Sequence, residues 1–305
     1  MHPRNPHTGR YNFPQLIAAS PDLAAFVRPT PYGDDSIDFS DPAAVKALNQ
    51  ALLRHFYGVQ HWDIPAGYLC PPIPSRADYL HHVADLLADS NHGTAPRGPA
   101  VRVLDVGTGA NCVYPLIGAQ AYGWRFVGTD IDPVAVQAAR RMVAANAGLE
   151  ARIEVRLQER PEHVFEGVMK PQDEFDVVMC NPPFHRSPEE AAASSERKAR
   201  NLGYARPGTL NFGGQPGELW CEGGEEGFVR RMVAESAALA ARVLWFTTLI
   251  SKRDTLPGAE YALRKAGAPT VLKQPMQHGQ KNVRILAWTY QDDEQRRQWR
   301  ARRWK

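Results

Sequence analysis

The sequence predicts an α/β fold with a doubly wound, mostly parallel sheet and a smaller helical module in front of it. From Val101 onward, short continuous apolar runs alternate with helical stretches, a pattern typical of strands covered on both faces by crossover helices. A glycine turn follows the first of these strands, where such sheets bind ligands. Residues 1–95 instead are rich in proline and show helical periodicity.

Two helices are predicted in the N-terminal module. The first runs from Asp41 to Phe56, with Asp41 as N-cap, Pro42 at the first helical position and leucines at helical spacing. The second runs from about Arg76 to Asp89. The segment SNHGTAPRGPA that follows has no periodicity, and its glycines and prolines indicate a linker. We therefore divide the chain into a helical module (1–95), an α/β domain (96–290) with a lid-like insertion at about 185–224, and a basic tail (291–305).

The strands of the α/β domain are predicted from their apolar runs. A helix after the second strand begins at Pro133 and ends before Gly148, which supports the alternation of strand and helix. The predicted strands are Val101–Val106, Arg125–Thr129, Arg152–Leu157, Phe175–Cys180 and Val243–Ile250, with a closing pair near Pro269–Lys273 and Val283–Tyr290.

Composition excludes several classes of protein. The 36 Lys and Arg residues against 33 Asp and Glu give a net charge of +3, too balanced for a histone-like arm or an acidic disordered chain. No apolar run is long enough to span a membrane, and the N-terminus has no hydrophobic signal region, so we expect a cytoplasmic protein that does not contact membranes. The four cysteines form no CxxC pair and have no nearby histidine at ligand spacing, so no metal site is expected.

The string LDVGTGANCVYP places Asp105, Gly107, Thr108 and Gly109 where the first strand turns into a helix. Glycines there let a ligand approach the backbone closely. The third glycine of a dinucleotide fingerprint is replaced by Cys112, so this turn alone is as consistent with a structural role as with a cofactor site.

A carboxylate at the end of the second strand strengthens the cofactor interpretation. In FVGTDID, Asp130 stands about twenty residues after the glycine turn, where a carboxylate can accept hydrogen bonds from both hydroxyls of a ribose. Asp132 is better explained as the cap of the helix that begins at Pro133.

The string DVVMCNPPFH is the most specific signal. Asn181, Pro182, Pro183 and Phe184 directly follow the fourth strand and so project from the sheet edge that carries the glycine turn. The prolines fix the backbone, so that the Asn181 side-chain oxygen and a neighbouring carbonyl can both accept from one NH₂ group. Phe184 could stack on a base swung out of its helix, although packing beside the sheet would also account for it.

That geometry suits methyl transfer to a conjugated amine. The exocyclic amine of adenine is a poor nucleophile, and two acceptors on its hydrogens direct its lone pair toward an electrophilic methyl group. S-adenosylmethionine supplies such a methyl group without a metal ion, so we expect this cofactor.

The chain resembles the family of large-subunit ribosomal RNA adenine-N6 methyltransferases called RlmF, and more distantly eukaryotic enzymes that methylate spliceosomal and messenger RNA. The resemblance covers nearly the whole chain and rests on blocks that occur in one order. These blocks are PRNPHTGRYNF, WDIPAGYLCPPIPSRADYLHHVADLL, LDVGTGANCVYPLIG, CNPPFH, LNFGGQPGELWCEGGE and ILAWTY.

The resemblance implies a seven-stranded class I methyltransferase (Rossmann-like) sheet. It implies methyl transfer from S-adenosylmethionine to the N6 amine of a flipped adenine, position 1618, in 23S ribosomal RNA, either in the large subunit or in an assembly intermediate. Arg76 would contact the methionyl carboxylate, although without the resemblance a solvated arginine at a helix start is the better explanation. Gly107 would belong to the cofactor loop, Asp130 would bind the ribose, and Asn181 to Phe184 would be the catalytic tetrad. Asn111 stands in the cofactor block where the eukaryotic relatives carry serine.

Basic residues near the sheet edge are the expected RNA contacts. Lys252 and Arg253 follow the fifth strand, and Lys281 and Arg284 precede the last one, so both pairs could touch phosphates. The tail QRRQWRARRWK is consistent with RNA binding or with a frayed, solvated terminus. The N-terminal HPRNPHTGR could be an arm that RNA orders, and the glycine-rich stretch 201–224 could be a lid.

Three alternatives remain open from the residues themselves. A release-factor glutamine methyltransferase also presents an NH₂ group to such a turn, but its aromatic residue is usually tyrosine and the basic tail would have no role. A non-catalytic RNA-binding scaffold would not need Gly107, Asp130 and Asn181 together. A nicotinamide dehydrogenase shares the glycine turn but does not explain the NPPF string.

Overall fold

The N-terminal module is helical, with one small hairpin. The computed structural model describes residues 1–193, 214–278 and 281–304. The elements of the module are α1 (Phe13–Ala19), a 3₁₀ helix (Pro21–Ala25), the antiparallel pair β1 (Val27–Pro29) and β2 (Asp35–Ile37), α2 (Pro42–Tyr57) and α3 (Ile73–Asp89).

The two predicted helices of the module are confirmed. In α2 the Asp41 carboxylate accepts a hydrogen bond of 2.8 Å from the Ala43 amide, and the helix ends where Gly58 adopts a left-handed φ of +67°. Helix α3 begins at Ile73 rather than Arg76, because Pro74 is accommodated in the first turn, where its missing N–H costs no intrahelical bond.

The N-terminal segment is packed against α3 and is not a free arm. The His2 amide donates to Asp78 at 2.6 Å, and the Asn5 side chain donates to the same carboxylate at 3.0 Å. His7 is buried, and its Nε2 lies 2.9 Å from the Tyr57 hydroxyl. The expectation that RNA orders this segment is therefore wrong for its first seven residues, which the protein itself orders.

A seven-stranded sheet forms the centre of the molecule, as predicted. The strands are β3 (Arg102–Val106), β4 (Arg125–Asp130), β5 (Ile153–Leu157), β6 (Phe175–Cys180), β7 (Val243–Ile250), β8 (Thr270–His278) and β9 (Lys281–Thr289). Their order in the sheet is β5-β4-β3-β6-β7-β9-β8; β9 is antiparallel to both neighbours and the other pairs are parallel. The predicted strands are confirmed, the largest change being that β8 extends to His278.

Helices cover both faces of this sheet. Along the strands, Val103 and Val177 face one apolar core while Leu104 and Val178 face the other, which is the alternation of a doubly wound fold. The helices are α4 (Val113–Tyr122), α5 (Pro133–Ala145), α6 (Pro216–Leu219), α7 (Gly224–Ser236), α8 (Thr255–Lys265) and α9 (Asp293–Arg303). Asp132 caps α5 by accepting from the Val134 amide at 2.8 Å, as predicted.

One apolar core is shared by the N-terminal module and the sheet. Gly118 of α4 shows how closely they pack, because a β-carbon there would lie 2.3 Å from the Phe126 ring and 3.2 Å from Leu80 of α3. The proposed division at residues 95 and 96 therefore separates two sequence patterns, while the apolar packing is continuous across it. The central part of the predicted lid, residues 194–213, lies outside the described residues.

The basic tail forms helix α9 and docks on the bottom of the sheet. The Trp299 indole is buried and donates to the Asp176 carboxylate at 2.8 Å, and Trp304 donates to the same carboxylate at 2.9 Å. Arg303 pairs with Asp176 at 2.9 Å, and Arg302 pairs with Glu174 at 2.8 Å. The tail is thus neither frayed nor free for RNA at these positions, because its aromatic rings and two of its cations are used in packing.

Candidate functional site

A cleft of roughly 1040 Å³, including its open mouth, runs along the carboxyl ends of β3, β4 and β6. Most of the predicted site residues line it. Asp105 lies beneath the cleft, fully buried, and Phe184 is half-buried next to it. The predicted residues that line the cleft are Arg76, Gly107, Thr108, Gly109, Asn111, Asp130, Asn181, Pro182 and Pro183.

The glycine turn presents open backbone to the cleft. Gly107 and Gly109 have φ values of +74° and +66°, which favour glycine strongly. The Gly107 and Thr108 amides both donate to the Thr129 carbonyl at 2.9 Å, which anchors the turn to β4. A β-carbon at Gly107 would meet nothing within 4 Å, so the space above the turn is free for a ligand.

Asp130 connects the end of β4 to the glycine turn. One of its carboxylate oxygens accepts from the Gly109 amide at 2.8 Å, and the other accepts from the Asp132 amide at 3.0 Å. Burial raises the pKa of Asp130, and these two hydrogen bonds oppose that increase. Each oxygen keeps a lone pair for a further donor, which is what a bound diol would supply.

Asp105 is a buried carboxylate at the end of β3. Burial raises its pKa to about 7, the Asp130 charge adds to the increase, and the Thr108 hydroxyl and Arg76 oppose it. Neither oxygen makes a hydrogen bond of ordinary geometry within the described part of the chain. A ligand that brings a hydrogen-bond donor to these Asp105 oxygens would therefore be bound more tightly.

Asn111 has a structural task in the turn. Its side-chain oxygen accepts from the Val113 amide at 3.2 Å at the start of α4, and its carbonyl accepts from the Trp62 indole at 2.8 Å. These contacts explain why an amide fits there: it caps the helix while its nitrogen faces Gly109. A cofactor contact by Asn111 stays a prediction.

Arg76 of α3 lies between Tyr114 and Asn181. Its Nη1 donates to the Tyr114 hydroxyl at 2.9 Å. With the amide oxygen of Asn181 facing the guanidinium, that oxygen accepts from Nη1 at 2.9 Å and from Nη2 at 3.2 Å. Burial raises the pKa of Tyr114 to about 12, an increase that Arg76 opposes, so the phenol is neutral there.

The NPPF corner rests on buried side chains of α3 and β7. The Tyr79 hydroxyl lies 2.7 Å from the Thr247 hydroxyl, which itself donates to the Val178 carbonyl at 2.8 Å. The Cys180 amide donates to Tyr79 at 3.4 Å, just before the corner begins. Pro182 is buried, while Asn181 and Phe184 keep partial exposure at the cleft and beside it.

A segment without a predicted site residue also lines the cleft. Glu218, Trp220 and Cys221 come from the block LNFGGQPGELWCEGGE, which contributed to the resemblance only as a string. Backbone hydrogen bonds hold this segment beside the NPPF corner: the His185 amide donates to Leu219 at 3.0 Å, and the Cys221 amide donates to His185 at 3.1 Å. The sequence did contain a signal for this site: Glu218 is followed by the apolar Leu219 and Trp220 within a glycine-rich string.

Three of the four predicted RNA contacts have described side chains, and all lie toward the carboxyl edge of the sheet. Arg253 is exposed, and the Lys252 ammonium donates to Glu190 at 2.8 Å. Arg284 of β9 is paired in register with Ile250 at the end of β7. Residue 281 begins β9 at the same edge, but the Lys281 side chain lies outside the described part of the structure.

Membrane-spanning helices and metal clusters are both absent from the described ranges. Within residues 1–193, 214–278 and 281–304, no helix is both long and apolar enough to cross a membrane. No group of three or more histidine, cysteine, aspartate or glutamate side chains in the same ranges could hold a metal ion.

Comparison with known proteins identifies the family. A family model described as "RNA methyltransferase" matches residues 1–292. The Ribosomal RNA large subunit methyltransferase F of Serratia proteamaculans is 55% identical over 308 aligned positions, which cover 100% of this chain and 92% of the relative. The protein of the same name from Pseudomonas fluorescens is 56% identical, with 100% and 90% covered.

Solved structures agree with this assignment. The catalytic domain of human METTL16 in complex with MAT2A 3′UTR hairpin 1 superposes with a TM-score of 0.81 at 33% identity, covering 96% of each chain. The N-terminal domain of human METTL16 in complex with SAH gives a TM-score of 0.76 at 31% identity, covering 96% of this chain and 99% of that one.

Proposed function

From the premise that the chain belongs to the RNA methyltransferase family, among the ribosomal RNA large subunit methyltransferases F, we propose that it methylates the N6 amine of one adenine in large-subunit ribosomal RNA. It is an RNA methyltransferase that uses S-adenosylmethionine. The position that we propose for the adenine is 1618 of 23S rRNA. The observation that carries the proposal is the meeting of the NPPF corner and the glycine turn at one cleft.

The residues of the cleft fit S-adenosylmethionine. Gly107 leaves open space above a turn of positive φ, and Asp105 offers buried oxygens without ordinary hydrogen bonds in the described structure. Arg76 would hold the methionyl carboxylate through its planar fork of donors, and Asp130 would accept a hydrogen bond from the ribose. When bound, the cofactor supplies a methyl group on a positively charged sulfur, so the cleft needs no metal ion for this chemistry.

Asn181 is the residue that we propose to orient the acceptor amine. A carbonyl oxygen has two lone pairs, so the Asn181 amide can keep the shorter hydrogen bond from Arg76 Nη1 and exchange the longer one from Nη2 for an incoming NH₂ group. A second acceptor is a main-chain carbonyl of the proline-fixed corner. Two acceptors favour a pyramidal nitrogen whose lone pair points at the methyl group, which lowers the barrier by orientation and electrostatics. No general base is needed, because the amine becomes strongly acidic once it is alkylated.

Phe184 is proposed to hold the flipped base. It is half-buried and directly follows Pro183, which lines the cleft. Stacking of a base on an aromatic side chain contributes about 1–3 kcal/mol and does not depend on the sequence of the RNA. Lys252, Arg253 and Arg284 at the same sheet edge would bind the phosphates around that base.

The test is incubation of the protein with unmodified 23S rRNA and labelled S-adenosylmethionine, followed by nucleoside mass spectrometry. We expect labelled N6-methyladenosine, and ribonuclease fragments of the product should map it to one adenine. A labelled base other than adenine, or label transferred to protein glutamine, would contradict the proposal. Naked rRNA and subunit assembly intermediates are compared in the same assay, because each is a candidate form of the substrate.

A further inference from the structure

Two backbone amides hold the side chain of Glu218 in the wall of the cleft. Glu218 lies in the short helix α6, and its Oε2 accepts from the Gln215 amide at 2.9 Å and from the Leu69 amide at 3.0 Å. These donors come from segments that are far apart in sequence, since Gln215 is the N-cap of α6 and Leu69 precedes α3. Both hydrogen bonds hold Oε2, so Oε1 is left to face another part of the cleft.

The second oxygen of Glu218 faces the glycine turn. Its Oε1 has no contact with solvent and no hydrogen bond to any residue that the structure describes. A β-carbon at Gly109 would lie 3.5 Å from this oxygen, so Oε1 stands beside the same turn that Asp130 holds by accepting from the Gly109 amide. Burial raises the pKa of Glu218, the hydrogen bonds from the Gln215 and Leu69 amides oppose this increase, and the charges of Asp130 and Asp132 add to it.

A buried oxygen of this kind is a costly arrangement for the free protein. A buried acceptor that has lost its water and gained no donor destabilises the free protein, and more so when the group is charged. The cost is recovered when a ligand brings a donor to that oxygen. The cleft already has a nucleoside acceptor in Asp130, but each Asp130 oxygen is occupied in part by a backbone amide.

We propose that Glu218 is a cofactor-binding residue, whose Oε1 accepts a hydrogen bond from one ribose hydroxyl of S-adenosylmethionine while Asp130 accepts from the other. The inference rests on the proposed function, because it takes the cleft to be the cofactor site. It also gives α6 a direct part in holding the cofactor, in addition to its contact with Leu69. The two carboxylates would select a ribose with both hydroxyls.

The variant that isolates this contact is Glu218→Gln. The amide oxygen of glutamine can keep both backbone hydrogen bonds. The substitution therefore changes only the group that faces Gly109, from an acceptor oxygen to an NH₂ donor. Glu222→Gln is the matched control, because Glu222 is an exposed glutamate shortly after α6. Equal thermal unfolding midpoints of the ligand-free proteins show that both variants are folded.

The readout is the affinity for S-adenosylhomocysteine and its 2′-deoxy and 3′-deoxy analogues, measured by calorimetry without RNA. We expect Glu218→Gln to bind S-adenosylhomocysteine about tenfold more weakly, the size of one charge-assisted hydrogen bond. We also expect it to lose discrimination against one of the two analogues, whereas Glu222→Gln behaves as the wild type. If Glu218→Gln discriminates as the wild type does, or weakens all three ligands equally, the ribose assignment is wrong. If the wild type binds none of them, the proposed function fails instead.

Discussion

With the Asn181 amide oxygen turned toward the guanidinium, Arg76 donates to Asn181 across the cleft, and Nη1 lies 2.9 Å from that oxygen. Arg76 belongs to the N-terminal module and Asn181 to the end of β6, so the contact joins the two parts of the chain that the linker separates. It also places the residue proposed for the methionyl carboxylate next to the residue proposed for the acceptor amine. The cofactor and the base would therefore be oriented by one connected pair of side chains.

Replacing Asn181 by alanine should slow methyl transfer strongly while leaving cofactor binding largely intact. The substitution removes an acceptor that acts on the amine in the transition state, and the loss of one such oriented group costs on the order of 10²–10³ in rate. The measurements are single-turnover methylation of rRNA and calorimetric binding of S-adenosylhomocysteine. If transfer and cofactor binding disappear together, the corner is a structural turn.

Replacing Phe184 by alanine should damage positioning of the base and leave cofactor affinity unchanged. A stacking contribution of about 1–3 kcal/mol corresponds to a decrease of roughly 5–150-fold in kcat/KM for RNA. Phe184→Tyr keeps the aromatic ring and serves as the control. Full activity of the alanine variant would rule out the stacking role.

Replacing Lys252 and Arg253 together by alanine should weaken RNA binding and flatten its salt dependence. Removing one cation that binds a phosphate lowers the slope of log K against log salt by about 0.7 for a single strand, so the pair predicts a change of about 1.4. This value requires Lys252 to exchange Glu190 for a phosphate when RNA binds.

Replacing Arg302 and Arg303 should leave the slope unchanged, since they pair with Glu174 and Asp176 at the end of the sheet opposite the cleft. It should instead lower the free energy of unfolding by about 3 kcal/mol, because it leaves the buried Asp176 carboxylate without its cation. An unchanged slope in the first variant, or a flattened slope in the second, would reverse these assignments.

Glu225 should act as a positioning residue for the loop that carries Lys252. Its buried carboxylate accepts from the Ser251 amide at 2.8 Å, the Lys252 amide at 3.0 Å and the Thr255 hydroxyl at 2.8 Å. Glu225→Gln replaces one of these acceptors by a donor, so we expect weaker RNA binding with unchanged affinity for S-adenosylhomocysteine.

The control for Glu225→Gln is the neighbouring Glu226→Gln, because the Glu226 side chain is 38% exposed and lies 3.6 Å from Arg186. Both proteins are compared by RNA titration at several salt concentrations. Equal RNA affinity in the two variants would show that the loop does not depend on the buried carboxylate.

The burial of His7 and His81 should make stability fall as the pH is lowered from about 6.5 toward 4. Asp105 opposes this fall, because burial raises its pKa to about 7 and the folded state then takes up its proton before the unfolded state does. Burial lowers the pKa of His7 and of His81 to about 4, against 6.5 in an unfolded chain. Between these values the unfolded state binds more protons than the folded state, so each histidine lowers the free energy of unfolding by up to about 1.4 kcal/mol per pH unit. Urea unfolding at several pH values measures this slope. His7→Gln should make it shallower, and an identical slope in that variant would exclude His7 as a contributor.

The sequence by itself determined the class of the fold and the positions of most strands and helices. Apolar runs and helix caps, such as Asp41 in the N-terminal module and Asp132 in the sheet domain, act over a few residues and are therefore visible in the chain order. The glycine turn and the NPPF corner were placed at one sheet edge for the same reason, because the carboxyl ends of parallel strands meet there.

Only the tertiary structure decided which residues from distant segments become hydrogen-bond and ion-pair partners. The composition of the tail suggested RNA binding, yet Trp299 and Arg303 find their partner in Asp176, at the start of a strand far away in sequence. Glu218 enters the cleft because Leu69 and Gln215 hold it there, a contact between remote segments that no local pattern encodes. Periodicity reports which face of an element is apolar, whereas the partner of a buried charge depends on where the whole chain brings other groups.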